Sequence, residues 1–225
     1  MILVKFLEVD GVRVPYHVKN RPVRKARIEV TDRITVILPK DAKEEKLTGQ
    51  FSKWMLKRYL ELKKTFMEMP PKGMQLFGES WKWYKKEKFS IDSVNKTVSL
   101  DPQDSAQVKL FKAELKRRLM IKLKKFCQEY SDKYGFSHGK ITIRSAKTRW
   151  GSCTAKNDLN FSLRLALLKD QLIRSVVYHE LIHTIHKNHK KRFHLWLKKE
   201  FPESLNKELH KGWVYSEVLF QKLKL

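Results

Sequence analysis

The run Tyr178-His179-Glu180-Leu181-Ile182-His183 constrains this chain more than any other stretch. On an α-helix, residues four apart lie on one face a turn from each other, so His179 and His183 stack. Two neutral imidazoles so placed can grip one Zn²⁺, and Glu180 projects beside them as a base for a metal-activated water. A helix with a satisfied pair of surface histidines is the simpler alternative. The flanking residues argue against it: Leu172, Ile173, Val176 and Val177 precede the motif, and Leu181 and Ile182 lie inside it. That spacing describes a largely buried helix. A buried helix tolerates two histidines and a glutamate only if each finds a partner.

Charge and cysteine content bound the setting. Lys and Arg number 49 against 24 Asp and Glu, giving a formal charge of +25. Such an excess suits a polyanion: nucleic acid, a nucleotide or an acidic membrane surface. The lysines recur in nearly every segment, so solvated faces explain much of the excess equally well. Cys127 and Cys153 are too few for a disulfide framework and fit a reducing compartment. The opening Met1-Ile2-Leu3-Val4 is broken by Lys5, Glu8 and Asp10, so no signal-peptide core is expected. No apolar run approaches the ~20 residues of a membrane span. A soluble, cytoplasmic protein is expected.

Residues 1–40 read as strands in a small antiparallel sheet, with a turn at Asp10-Gly11. Asp41 is expected to cap a helix on which Leu47, Phe51, Trp54, Met55, Tyr59 and Leu62 keep helical spacing. Met69-Pro70-Pro71-Lys72-Gly73 breaks the chain, and residues 78–100 return to strands. A long amphipathic helix is predicted from about Ser105 to Lys133. Its buried stripe is Val108, Phe111, Leu115, Leu119, Leu123, Phe126 and Tyr130, and Cys127 lies beside it as a small core residue. Lys140–Arg144 alternates as a strand, Thr148–Thr154 is a Gly-containing turn, and residues 159–168 form a second strand. Lys169-Asp170 opens the motif helix. A further helix keeps Phe193, Trp196, Leu197 and Phe201 in register until Pro202, and the tail to Leu225 is helical.

A catalytic zinc takes three protein ligands and keeps one position open. His186 would share the motif face on an unbroken helix, but about 10 Å along the axis from His179, too far to join both. His189 becomes available if the helix stops near Lys187-Asn188 and folds back, since Asn tolerates the left-handed conformation. Glu200, Glu208, Glu217 and His194 are the other choices, and spacing leaves them open.

The run Arg149-Trp150-Gly151-Ser152-Cys153, then Leu163-Arg164-Leu165, then the motif followed by Asn188-His189 and Phe193, resembles the YgjP-like metallopeptidase family. That family is a branch of the zincins, distantly similar to SprT-like proteases, and the resemblance covers nearly the whole chain. It implies that His189 is the third ligand and that zinc-dependent hydrolysis uses Glu180 as the base. One departure lies in the strand, where the family's asparagine and tryptophan are Ser162 and Leu163 here, or Asn160 and Phe161 in a shifted register.

Arg149, His186 and Tyr215 are candidate donors to a developing oxyanion, and Trp150 and Gly151 shape the turn beside the cleft. The expected architecture is α+β: a β-rich segment with one helix over 1–102, then a zincin-like core over 103–225. The two parts can also form one compact unit. Three functions fit: a zinc metallopeptidase acting on a peptide or protein, a zinc-dependent nucleotide pyrophosphatase, and a nucleic-acid-associated protease or binding protein. The fold alone does not choose among them, nor does it give the oligomeric state.

Overall fold

The structure is a computed structural model that describes residues 4–30, 33–40, 42–68, 73–146 and 149–225. The expected Asp41 cap and the Met69–Lys72 break lie outside the described residues. The chain divides into two compact units, Met1–Pro70 and Pro71–Leu225. Both contain sheet and helix, which makes the class α+β.

The first unit holds strands β1 (Val4–Val9), β2 (Val12–Asn20), β3 (Arg27–Val30) and β4 (Ile34–Leu38), in the order β1-β2-β4-β3. Asp10 and Gly11, both at positive φ, make the two-residue hairpin turn between β1 and β2. The sheet is mixed rather than antiparallel throughout. β1–β2 and β3–β4 run antiparallel, but β2 pairs with β4 in parallel, Tyr16 opposite Ile34. The reason is order: β4 inserts between β2 and β3, so the strand that returns beside β2 is two steps along the chain. All five residues of β4 are buried, as its central position requires. The predicted single helix is two, α1 (Glu45–Gln50) and α2 (Ser52–Glu68), broken at Phe51 just after the weak helix former Gly49.

The second unit carries a four-stranded sheet of β5 (Gly73–Leu76), β6 (Glu79–Tyr84), β7 (Ser90–Asp92) and β8 (Thr97–Ser99), ordered β5-β6-β8-β7. The 30-residue helix α3 (Ser105–Tyr134) follows, capped by Asp104, whose carboxylate accepts from the Ala106 and Gln107 N–H groups. Every residue of its predicted stripe is buried, Cys127 included. A three-stranded sheet comes next: β9 (Ile141–Arg144), β10 (Gly151–Cys153) and β11 (Leu159–Ser162), with β11 in the centre. The second predicted strand therefore ends at Ser162. Leu163–Leu167 is a fully buried 3₁₀ turn, whose first turn is capped by Ser162 Oγ accepting from the Arg164 N–H. A continuous apolar run does not separate a buried strand from a buried helical turn by period.

Helices α4 (Asp170–Ile185), α5 (Lys191–Glu200) and α6 (Asn206–Lys222) complete the unit. α4 packs on α3 through an aromatic cluster: Tyr178, fully buried, lies against Tyr130, Tyr134, Phe136 and Phe201, and donates its hydroxyl proton to the Trp196 carbonyl. Ion pairs Lys122–Asp170 and Arg174–Glu129 add two clamps between the helices. Part of the basic excess is thus spent on internal pairing. No helix among the described residues is long and apolar enough to cross a membrane.

Candidate metal centre

The centre is built where α4 ends. Its backbone leaves the helical conformation at His186, which is extended (φ −128°, ψ 96°). The expected left-handed stop at Asn188 does not occur: the helix ends two residues sooner, without a positive φ. The early exit still lets the chain fold back and bring His189 onto the face that carries His179 and His183. His189 Nε2 stands 3.1 Å from His183 Nε2 and 3.1 Å from His179 Nε2. Two nitrogens bound to a tetrahedral zinc at ~2.0–2.1 Å lie about 3.3 Å apart, so the spacing is close to that of a ligand set.

The protons also fit. His183 Nδ1 lies 2.9 Å from the His186 carbonyl, which can only accept, so Nδ1 carries the proton and Nε2 presents a lone pair. His189 Nε2 has at most one proton to offer its two neighbours. A shared cation satisfies all three nitrogens at once, and the three histidines form a group able to hold one. Burial, followed by the neighbouring histidines, pushes the His179 imidazole down to about 4. Burial also lowers His183, against the opposing His186 carbonyl. Neutral imidazole is the form a metal takes. Phe193 on α5, 1% exposed, backs the group with ring centroids 4.8, 4.7 and 4.6 Å from His179, His183 and His189.

Glu180 is 6% exposed, and burial lifts its carboxyl to about 7 against the opposing charge of Arg149. It lies directly under β10. A Cβ built on Gly151 would come within 2.7 Å of both Glu180 Cγ and Oε1, so only glycine lets that strand pass over the carboxylate. A cleft of about 230 Å³ opens beside this crossing, lined by Arg144, Ala146, Arg149, Gly151, Ser152, Asn160, Phe161 and Ser162.

The other sequence candidates are dispersed. Trp150 packs edge-on against Trp213 at 4.7 Å, and its carbonyl accepts from the Ser162 N–H. The His186 ring stands 6.5 Å from Trp196, and its contribution to the group is the backbone carbonyl. The Tyr215 hydroxyl accepts from the Gln75 N–H of β5 at 2.6 Å. Glu200 is engaged by Lys133 and Tyr134, and Glu217 by Arg164, so two of the three alternative carboxylate ligands have other partners; Glu208 is exposed on α6. Cys153 is half-buried, and burial raises its thiol. Sequence reading passed over Arg144, whose end-of-strand position gave no signal, and saw Phe193 only as part of a pattern.

A family model described as YgjP-like, metallopeptidase domain, matches residues 23–211. The chain belongs to the YgjP-like metallopeptidase family. No curated protein and no solved structure matches it. The YgjP-like span takes in the Arg149–Cys153 run, the three histidines, Glu180 and Phe193, and leaves Tyr215 outside. Membership carries with it metal-dependent peptidase activity as the family's character.

Gly151 gives a direct test of the crossing. Gly151→Ala should displace the Glu180 carboxylate by a few tenths of an ångström to an ångström. A misplacement of that size costs on the order of 10²-fold in rate. Peptide hydrolysis should fall by that order while far-UV circular dichroism and metal content stay at wild-type values. Unchanged turnover would mean that the carboxylate is not held by the strand above it.

Proposed function

We propose that the chain is a zinc-dependent peptidase in which His179, His183 and His189 hold Zn²⁺ and Glu180 is the general base. The observation that carries this reading is the convergence of three Nε2 atoms beside one buried carboxylate. Zn²⁺ held there supplies Lewis acidity to a water molecule and to the scissile carbonyl. Glu180 takes a proton from the attacking water on a carboxylate oxygen and later gives it to the leaving amine nitrogen. Burial alone raises this carboxyl, and a dication beside it would oppose that shift, leaving a group able to accept and release a proton. The His186 carbonyl fixes the His183 ring, and Phe193 keeps all three rings from rotating. Arg149 borders the cleft on the substrate side. Two free cysteines suit a cytoplasmic setting.

Metal analysis beside proteolysis tests the assignment. About one zinc per chain is expected in the wild type, lost in both His183→Ala and His189→Ala. A chelator should abolish hydrolysis of an unfolded protein such as casein, and added zinc should restore it. Zinc kept in His189→Ala would remove that residue from the ligand set. Pyrophosphate release from a nucleoside triphosphate without proteolysis would move the chain to the phosphoanhydride hydrolases.

A further inference from the structure

The cleft beside Glu180 contains an unusual charge arrangement. Among the described residues Arg144 and Arg149 both line it and no carboxylate does; the other described lining residues are Ala146, Gly151, Ser152, Asn160, Phe161 and Ser162. Both arginines are exposed. Elsewhere in this unit Arg117, Arg118, Arg164 and Arg174 are paired with Glu114, Glu217 and Glu129, while the exposed Arg192 on α5 forms no ion pair among the described residues. Neither Arg144 nor Arg149 forms an ion pair among the described residues. Two like charges bordering one small hollow repel each other unless an anion lies between them.

The fold fixes the backbone positions from which both arginines project. Arg144 ends β9 opposite Ser162 of the central strand, and Arg149 precedes the Gly151 crossing over Glu180. Asn160 faces the same hollow but its amide oxygen already accepts from the Thr142 hydroxyl. Gly151 lines the hollow, and a Cβ built on it would stand 2.7 Å from Glu180 Oε1, so the hollow adjoins that carboxylate. A ligand in the cleft therefore lies next to the scissile position. Size narrows its identity. About 230 Å³ is smaller than the ~300–1,000 Å³ of pockets that enclose a drug-sized molecule. One side chain or a chain terminus fits within it. Planar guanidinium forks match a carboxylate in two parallel hydrogen bonds.

We propose that Arg144 and Arg149 form a substrate-carboxylate subsite, which directs cleavage to peptides with an acidic residue, or the carboxyl terminus, beside the scissile bond. This rests on the peptidase reading above and adds the substrate class to it. The carboxylate has two sources, an Asp or Glu side chain or the terminal carboxylate, and paired peptides separate them.

The experiment measures kcat/KM of the zinc-loaded protein on peptides scanned with Glu against Gln at each position around the cleaved bond, and on the best of them as terminal acid against terminal amide. Binding of the same peptides to Glu180→Gln is followed in parallel by fluorescence anisotropy. A preference of about tenfold or more for one acidic partner is expected, from the strength of hydrogen bonds to charged groups. Arg144→Gln should bring the ratio toward one, and Arg144→Glu should transfer preference to a Lys-containing peptide. The exposed Lys116→Gln on α3, an equal loss of charge, should leave the ratio unchanged. Equal kcat/KM in the wild type for every Glu/Gln pair and also for terminal acid and amide overturns the subsite, and so does a ratio that survives in Arg144→Gln. Absence of cleavage of any peptide would sink the peptidase reading, while the anisotropy ratios still decide the subsite. Tighter binding of a nucleoside triphosphate than of any acidic peptide, lost in Arg144→Gln, would overturn the proposal in favour of a phosphate site.

Discussion

Replacing Glu180 by Gln is expected to slow peptide hydrolysis by about 10²–10⁴-fold, the range that a positioned general base contributes. That corresponds to about 3–5 kcal/mol of transition-state stabilisation. Glutamine keeps the volume that fills the space under Gly151, so packing beneath the strand is preserved. It cannot take a proton from water, so the loss should fall on kcat and leave KM close to the wild-type value. The three histidines are untouched, and metal content should stay at about one zinc per chain. Glu180→Asp adds a control on position. It keeps an acid but retracts it by one methylene, and an intermediate rate is expected because reach alone is impaired. A Glu180→Gln protein within about tenfold of wild-type turnover would end the hydrolytic reading altogether, since both the peptidase and the phosphoanhydride hydrolase need this base.

The reach of the sequence differs between elements for physical reasons. α3 was legible residue by residue because it buries one stripe and solvates the rest, so its period survives in the composition of each turn. The α4 motif was legible for the opposite reason: polar, ligand-type residues stand out on a helix that is buried nearly all round. Where pairing is between distant segments, the pattern fell silent. The parallel β2–β4 register depends on which strand inserts between two others, and alternation within each strand carries no record of that. The end of β11 was hidden by an unbroken apolar run, in which one serine hydroxyl turns the backbone from strand to 3₁₀ turn. The placement of His189 is a mixed case. Spacing ruled out His186 on helical rise but left several residues open, and only resemblance singled out His189. The contact of Gly151 with Glu180 joins residues 29 apart in sequence, and no local rule anticipates it.

Loss of Arg164 is expected to destabilise the fold by about 3–5 kcal/mol, the cost of leaving one member of a buried ion pair unpaired. Arg164 lies in the 3₁₀ turn after β11 and is 5% exposed. Its Nη2 is 2.7 Å from Glu217 Oε2, and its Nη1 donates to Ser216 Oγ at 3.1 Å. The guanidinium lies over the rings of Trp213 (5.1 Å) and Phe220 (4.5 Å), so all four contacts run to α6. Burial pulls the guanidinium below its ordinary range, and the Glu217 carboxylate opposes that shift. Arg164→Met keeps the length of the side chain but leaves the Glu217 carboxylate in the interior without its cation. In a chain of 225 residues each kcal/mol moves the melting temperature by about 2–4 °C, so the single variant should melt about 6–20 °C lower. Arg164→Lys should recover little of this, because an ammonium neither stacks on two rings nor presents a planar fork. The double variant Arg164→Met with Glu217→Met should recover most of it, since removing both charges also removes the cost of burying them. Urea melts of the wild type, Arg164→Met, Glu217→Met and the double variant measure the coupling directly. Wild-type stability in Arg164→Lys would show that charge alone holds α6. The consequence for the site follows from Trp213, which touches both Arg164 and Trp150. The Trp150 carbonyl accepts from the Ser162 N–H, one residue from the glycine that crosses Glu180. Loosening α6 should therefore reduce turnover at temperatures where the variant is still folded, through the position of the base rather than through loss of the metal.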